Sequence, residues 1–425
     1  MKKSLLFAVC ICFTVLSEGF TQNTITVFQG MTLWDGQAEE IITDAVMVIQ
    51  GREILAIGKA EEVEIPVKAT LIDCSGMYMI PGLINAHAHV GYDGAVDEAH
   101  YSAQNIINQL ERYARFGITT VASLGEDRTQ ARAFRDVNDS TVHAARARLY
   151  IAGDIIQGKT SEDARQKVIE NVEQGTDFIK IRVDRNRGRT AAMPSEIYAS
   201  IIDEAHLQGK MLMAHIYDLD LAKDLVKHGA DFIAHSVRDT KVDQEFISLL
   251  KSNKVCYCPT LTRDLSTYVY GRKASFFEDS YFRAEFEASE YQHLLREENQ
   301  LRVREGIDYQ NNQEALKMAM TNLKILANSN VQVAMGTDSG MPGRFQGYFE
   351  QLEMEMMQDA GMTPFNILKS ATSGAADCLQ LHRLGVLKSG NKADFLLLSQ
   401  NPLSDIKNLR SIQSVWIGGA KVSTK

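Results

Sequence analysis

The feature that most constrains this chain is a repeat of pattern through its middle. Short apolar runs, "MYMIPGLINAHAH", "ITTVASL", "RLYIAG", "DFIKIRV", "MLMAHIY", "DFIAHS", "VCYCPTL" and "VQVAMGTDS", alternate with stretches of helical character. One such stretch, "PSEIYASIIDEAHLQG", opens at Pro194 and closes at Gly209, the start and stop chemistry of a helix. Parallel strands must be joined by crossovers, and helices are the usual crossover. Eight strands alternating with helices predict an α/β fold of the (β/α)₈ TIM-barrel type. An open doubly wound sheet is the alternative, but no glycine-rich phosphate loop follows the first run.

The flanks read differently. Residues 23–80 hold short apolar runs punctuated by turns such as Asp35-Gly36, and the tail carries "ADFLLLSQNPL" and "SVWIGGAKV". Both ends therefore predict β-strands, and together one small discontinuous β-domain from residues 20–80 plus 381–425. The barrel is assigned to 81–380, with a polar, aromatic-rich insertion at 263–312 that is expected to be helical. Residues 1–19, with Lys2 and Lys3 before an apolar run and Ser17 and Gly19 after it, form a secretory signal peptide. The run is short for a bilayer span, which needs about 20 apolar residues, so no span is expected after cleavage. This start suits a bacterial protein exported to the periplasm. The net charge of -9 offers no basic face for nucleic acid. A homo-oligomer is compatible with the sequence. Cys74, Cys256, Cys258 and Cys378 are too few and scattered for a disulfide framework and are expected to be buried, inert thiols.

Polar residues fall at the carboxyl ends of the predicted strands: His87 and His89, Lys180, His215, His235 and Asp338. In a barrel these ends converge on one face, where the chemistry is done. Side chains alternate along a strand, so His87 and His89 point the same way. One such pair is weak evidence, but four imidazoles and a carboxylate at strand ends suit Zn²⁺ or a similar divalent ion. Lys180 is the odd member. Burial and positive neighbours favour its free amine, which can take up CO₂ to give a carbamate able to bridge two metals. The alternative is a salt-bridging lysine that snorkels out of the barrel.

The chain resembles the amidohydrolase superfamily, in its imidazolonepropionase-like and prolidase-like branch. The resemblance rests on "PGLINAHAH", "GITTV", "DFIKI", "AHIYD", "GADFIAHS", "CPTL" and "GTDSG", and on "AGMTPFNILKSATSGAADCLQL" and "RLGVLKSGNKADFLLL" in the tail. It implies a barrel with a small β-sandwich made from both ends. It implies that His87, His89 and Asp338 bind one metal, His215 and His235 a second, and carboxylated Lys180 bridges them. Asp338 would also shuttle protons for a metal-activated hydroxide that attacks a C–N amide bond. Lys180 points to the binuclear, dipeptidase-like side. Three loops depart from the family pattern: Ala122 stands where arginine is usual, "AGDIIQGKTSEDARQK" is short, and Gln351-Leu352-Glu353-Met354 replaces a histidine-containing motif. These loops shape substrate pockets.

Tyr217, two residues past His215, shares its inward direction and is a candidate substrate contact or a packing tyrosine. Arg344 is a candidate partner for a substrate carboxylate, or a solvated surface arginine. Three functions compete: a binuclear hydrolase of dipeptides or N-acyl amino acids, a mononuclear cyclic-amide hydrolase or deaminase, and a metal-bound barrel that binds without catalysis.

Overall fold

A computed structural model describes residues 25–93, 100–138 and 146–423. The proposed signal peptide lies outside the described residues. Among them, no helix is long and apolar enough to cross a membrane.

Both ends of the chain build one mixed sheet. Its strands are β1 (Ile25–Leu33), β2 (Ile42–Gln50), β3 (Glu53–Lys59), β4 (Thr70–Asp73) and β5 (Tyr78–Pro81) from the first part. The strands Phe395–Leu398, Ile412–Ile417 and Ala420–Lys421 come from the last part, and Phe395–Leu398 pairs antiparallel with β5. Aromatic residues far apart in sequence lock the two halves: the Phe28 ring meets Phe395 and Trp416 edge-on, each at 4.9 Å. Such pairs add roughly 0.5–1.5 kcal/mol beyond area burial.

The middle of the chain forms parallel sheets, as the alternation predicts. One contains β6 (Leu83–Ala88), β7 (Ile118–Ser123) and β8 (Arg148–Ile151). The other contains β9 (Ile155–Ile156), β10 (Phe178–Arg182), β11 (Met211–His215), β12 (Phe232–Ala234) and β13 (Cys256–Cys258). Backbone bonds run between them: Asp177 N donates to Ile151 O at 2.8 Å, and the segment 332–339 bonds to Tyr257 on one side and to Ala86, His87 and His89 on the other. Alternation along β10 sorts its residues. Ile179 and Ile181 join a cluster with the helices Ser161–Glu173 and Ser195–Leu207, whereas Phe178 packs with Met213, Phe232 and Cys256. The helix Ser195–Leu207 begins directly after Pro194, and Gly209 beyond it has a φ of 66°.

Two expectations are corrected. The eighth run, "VQVAMGTDS", is not a strand; it makes only the bridges Tyr257–Val333 and Ala88–Ser339. A left-handed Asp338, at φ 59°, breaks its extended backbone. The cysteines are not all free: Cys256 and Cys378 form a disulfide across a sequence separation of 122, while Cys74 and Cys258 are buried thiols. The partner of Cys256 lies on the helix Ser373–Cys378, which covers the inner cluster, and no spacing in the sequence announces that contact. The insertion is helical in short pieces, including Ser280–Arg283, Ala288–Tyr291 and Glu297–Arg304. Its aromatic residues, Phe276, Phe277, Phe282 and Phe286, pack with Phe345 and Phe349 into a core of their own.

Candidate metal centre

All six residues expected to bind metal meet in one buried place. His87 and His89 stand at the end of β6, Lys180 lies within β10, His215 ends β11, and His235 follows β12 directly. Asp338 comes from the irregular segment between β13 and β6. Its Oδ1 lies 2.9 Å from His89 Nε2 and 3.3 Å from His87 Nε2. Lys180 Nζ lies 3.4 Å from His87 Nε2. The His235 ring contacts His87 at 4.6 Å and His215 at 4.3 Å between centroids. Donor atoms of His87, His235 and Asp338 all fall within 4.8 Å of one another.

The local backbone is shaped to deliver these groups. His235 has φ 73° and Asp338 φ 59°, conformations that cost a non-glycine residue roughly 1–3 kcal/mol each and persist only where the surroundings enforce them. Gly336 leaves room for His87: a Cβ there would come within 2.8 Å of the His87 amide nitrogen and 2.5 Å of Cys258 Sγ. Two rings are oriented through Nδ1, His89 by the carbonyl of Gly125 at 3.0 Å and His235 by Thr260 Oγ1 at 2.7 Å. That arrangement leaves Nε2 as the ligand atom.

Charge states follow from burial and neighbours. Burial and the Lys180 charge bring His87 down to about 3, and burial holds His215 and His235 well below the usual imidazole range. These rings are therefore neutral. His89 is displaced upward, because the Asp338 carboxylate outweighs the opposing effect of burial. Burial works to raise Asp338 as well, but Arg344 and the two imidazoles override it and keep the carboxyl well below its ordinary range. Burial lowers Lys180 to about 8. No carboxylate among the described residues lies within ion-pair distance of its Nζ, so the snorkelling lysine is not what the structure has. Neutral imidazoles, a held carboxylate and an amine without a counter-ion make a donor set that fits divalent cations.

Several contributors escaped the sequence reading. Asp184 Oδ2 lies 3.0 Å from His215 Nε2 and accepts from Arg182 Nε at 2.8 Å. Its signal was present, since Lys180, Arg182 and Asp184 follow one another at intervals of two. Arg263 reaches Asp338, with Nε 3.9 Å from Oδ2, and donates to Asp264 Oδ1 at 2.8 Å. Buried Arg238 shares that Asp264 oxygen at 2.6 Å. Arg344 is not solvated: its Nη1 pairs with Asp338 Oδ2, and its Nε donates to Ser266 Oγ at 3.1 Å. Tyr217 is half-buried, with its ring facing Arg238 at 4.8 Å and Arg187 at 5.5 Å. The structure thus brings Arg344 into the centre and sets Tyr217 in an arginine-lined wall.

The mixed α/β fold with its parallel sheets is similar to that of several solved structures. It superposes on a Xaa-Pro dipeptidase with bound methionine in its active site at a TM-score of 0.75 and 21% identity, covering 94% of this chain and 99% of that one. It superposes on the ochratoxinase of Aspergillus niger at 0.72 and 20%, covering 94% and 95%. The model of the Amidohydrolase family matches residues 78–422, and the chain belongs to that family. In sequence it is 28% identical over 196 residues to an uncharacterised protein of Mycobacterium tuberculosis, covering 44% of this chain and 51% of that protein. The ochratoxinase is 25% identical over 281 residues, 63% of this chain and 51% of its own length. The chain thus spans about half the length of these curated relatives. The imidazolonepropionase of Streptomyces griseus is 20% identical over 405 residues, 92% of this chain and 95% of that enzyme.

Proposed function

We propose that the protein is a binuclear metal-dependent amidohydrolase that cleaves a C–N amide bond in dipeptides or N-acyl amino acids. The observation that carries this reading is the convergence of His87, His89, Lys180, His215, His235 and Asp338 from five separate segments. His87, His89 and Asp338 would hold one cation, His215 and His235 the other, and carboxylated Lys180 would bridge them, with Zn²⁺ as the metal. The parallel strands are read as a closed (β/α)₈ barrel over residues 81–380, supported by the Ile151–Asp177 bond and the bridges made by 332–339. The mixed sheet is read as a β-sandwich domain from 20–80 and 381–425. Residues 1–19 are read as an export signal, which puts the protein in a bacterial periplasm.

The metals would supply a water of lowered pKa and polarise the substrate carbonyl. The chain's own residues do the rest. Asp338, ionised at working pH, accepts a proton from the attacking water and returns it to the leaving nitrogen. Arg344 and Arg263, both turned toward Asp338, are placed to receive a substrate carboxylate beside the scissile bond. The neutral rings of His87 and His235 keep a lone pair for coordination.

One observation favours a mononuclear alternative. Among the described residues, His87, His235 and Asp338 form the group whose donor atoms lie within 4.8 Å of one another, and Asp184 occupies His215 Nε2. Metal analysis combined with a screen of dipeptides and N-acyl amino acids on zinc-reconstituted protein decides between them. Two equivalents of metal, a modified Lys180 and turnover abolished by Asp338→Asn are expected. One equivalent with an unmodified lysine would establish the alternative, and full loading with no turnover of any substrate would leave a binding protein.

A further inference from the structure

Behind the metal centre, on the side of the helix Tyr348–Asp359, lies a closed set of polar side chains that the proposed chemistry does not use. At its centre is Glu350, fully buried. Its Oε1 accepts from three side chains: Asn85 Nδ2 at 2.6 Å, Thr337 Oγ1 at 2.5 Å and Ser339 Oγ at 2.6 Å. Its Oε2 accepts from the backbone of Gly347. Glu350 sits in the first turn of its helix, where the dipole favours a negative charge.

The three side-chain donors are not arbitrary neighbours. Thr337 and Ser339 flank Asp338. Asn85, with its amide nitrogen on Glu350, uses its oxygen to accept from the backbone nitrogen of His87 at 2.9 Å. The two ligand segments are also stitched directly, with Asp338 N on His87 O at 2.7 Å and His89 N on Ser339 O at 2.7 Å. One carboxylate oxygen therefore fastens the residues on both sides of Asp338 and, through Asn85, the backbone of His87. Asp338 is held in a left-handed conformation that its own preferences oppose, so an external clamp is needed.

We propose that Glu350 is a positioning residue that sets the spacing of His87 and Asp338 before any metal binds. It touches neither substrate nor cation. Its neutral amide analogue cannot replace it. In Glu350→Gln an amide oxygen can still accept, but one carboxylate oxygen becomes an NH₂ group facing either Gly347 N or the three side-chain donors. The hydroxyls can reverse their direction, whereas Asn85 can do so only by turning its amide and releasing His87 N. The damage would then pass to the ligand. This inference rests on the metal-centre reading above.

The test is titration of metal-free full-length protein with Co²⁺, followed by its visible absorption, alongside kcat and KM of the zinc-loaded protein. Glu350→Gln is expected to weaken cobalt binding roughly 10- to 100-fold, shift the absorption bands, and lower kcat with little change in KM. Tyr113→Phe removes the outermost hydroxyl, which meets Ser339 Oγ at 2.6 Å, and is expected to bind cobalt as the wild type does. Should Glu350→Gln fail to fold, Ser339→Ala and Thr337→Val each delete one donor without introducing a new one, and each is expected to weaken binding several-fold. Wild-type cobalt affinity and spectrum in Glu350→Gln, or in both single-donor variants, would overturn the proposal and leave the metal centre standing. Wild-type protein that takes up no cobalt would defeat the metal centre itself, and this proposal with it.

Discussion

Lys180 Nζ lies 3.4 Å from Nε2 of His87, and both residues are shut off from solvent. An ammonium held against a neutral ring with no carboxylate in ion-pair reach is poorly solvated. Conversion to the proposed carbamate would replace that unfavourable cation by an anion suited to a metal site. Lys180→Ala should therefore lose one metal equivalent and nearly all turnover. Added acetate, a small carboxylate able to enter the vacated space, should restore a measurable fraction of both. Two equivalents retained by Lys180→Ala would refute the bridging role.

Asp338→Asn tests the proposed proton transfer. The amide keeps the shape but cannot accept the proton. The expected loss in kcat is roughly 10²–10⁴-fold, with KM changed far less. Steady-state kinetics on the best substrate of the screen checks it, and a variant of near wild-type kcat would remove Asp338 from the chemistry.

The Cys256–Cys378 disulfide ties a strand of the inner cluster to the helix that caps it, closing a long loop. Cys378→Ser is expected to cost about 2–4 kcal/mol in urea unfolding. Wild-type protein treated with reductant should lose a comparable amount. Alkylation of unreduced, denatured protein should leave Cys256 and Cys378 unlabelled; labelling of both would show that the bond does not form.

Glu353 supplies a pH dependence away from the metal ligands. Its carboxylate oxygens accept from Leu261 N, Thr262 N and Thr262 Oγ1, each at 2.7 Å. Burial nevertheless raises its pKa from 4.5 to about 8. The folded state then holds a proton that the unfolded chain releases, so this group's contribution is present at low pH and is lost as pH rises toward 8. The slope is at most about 1.4 kcal/mol per pH unit. Glu353→Gln should flatten the fall in urea midpoint between pH 5 and 8. An unchanged slope would show that Glu353 is ionised throughout.

The sequence carried the site further than it carried the surroundings. Parallel strands impose their own periodicity, so the positions of His87, Lys180 and His215 at or near strand ends could be read without coordinates. Asp184 left a weaker trace, lying two residues past the end of the strand that carries Lys180. Glu350, Asn85 and Arg263 could not. Their partners lie far away along the chain, and each looks like an ordinary residue of a helix or strand until the fold brings its partners together. The disulfide is of that kind too. The eighth run misled because apolar content reports burial, whereas the left-handed Asp338 shows that its backbone does not stay extended.

The sheet shared by both ends has a consequence for how the molecule is made. The strands from the first part pair among themselves, but β5 takes its outer neighbour, Phe395–Leu398, and through it Ile412–Ile417, only from the last part of the chain. A ribosome delivers those residues last, so this sheet is finished only after most of the polypeptide has been synthesised. During that interval the aromatic face of Phe28 lacks the rings it later packs against.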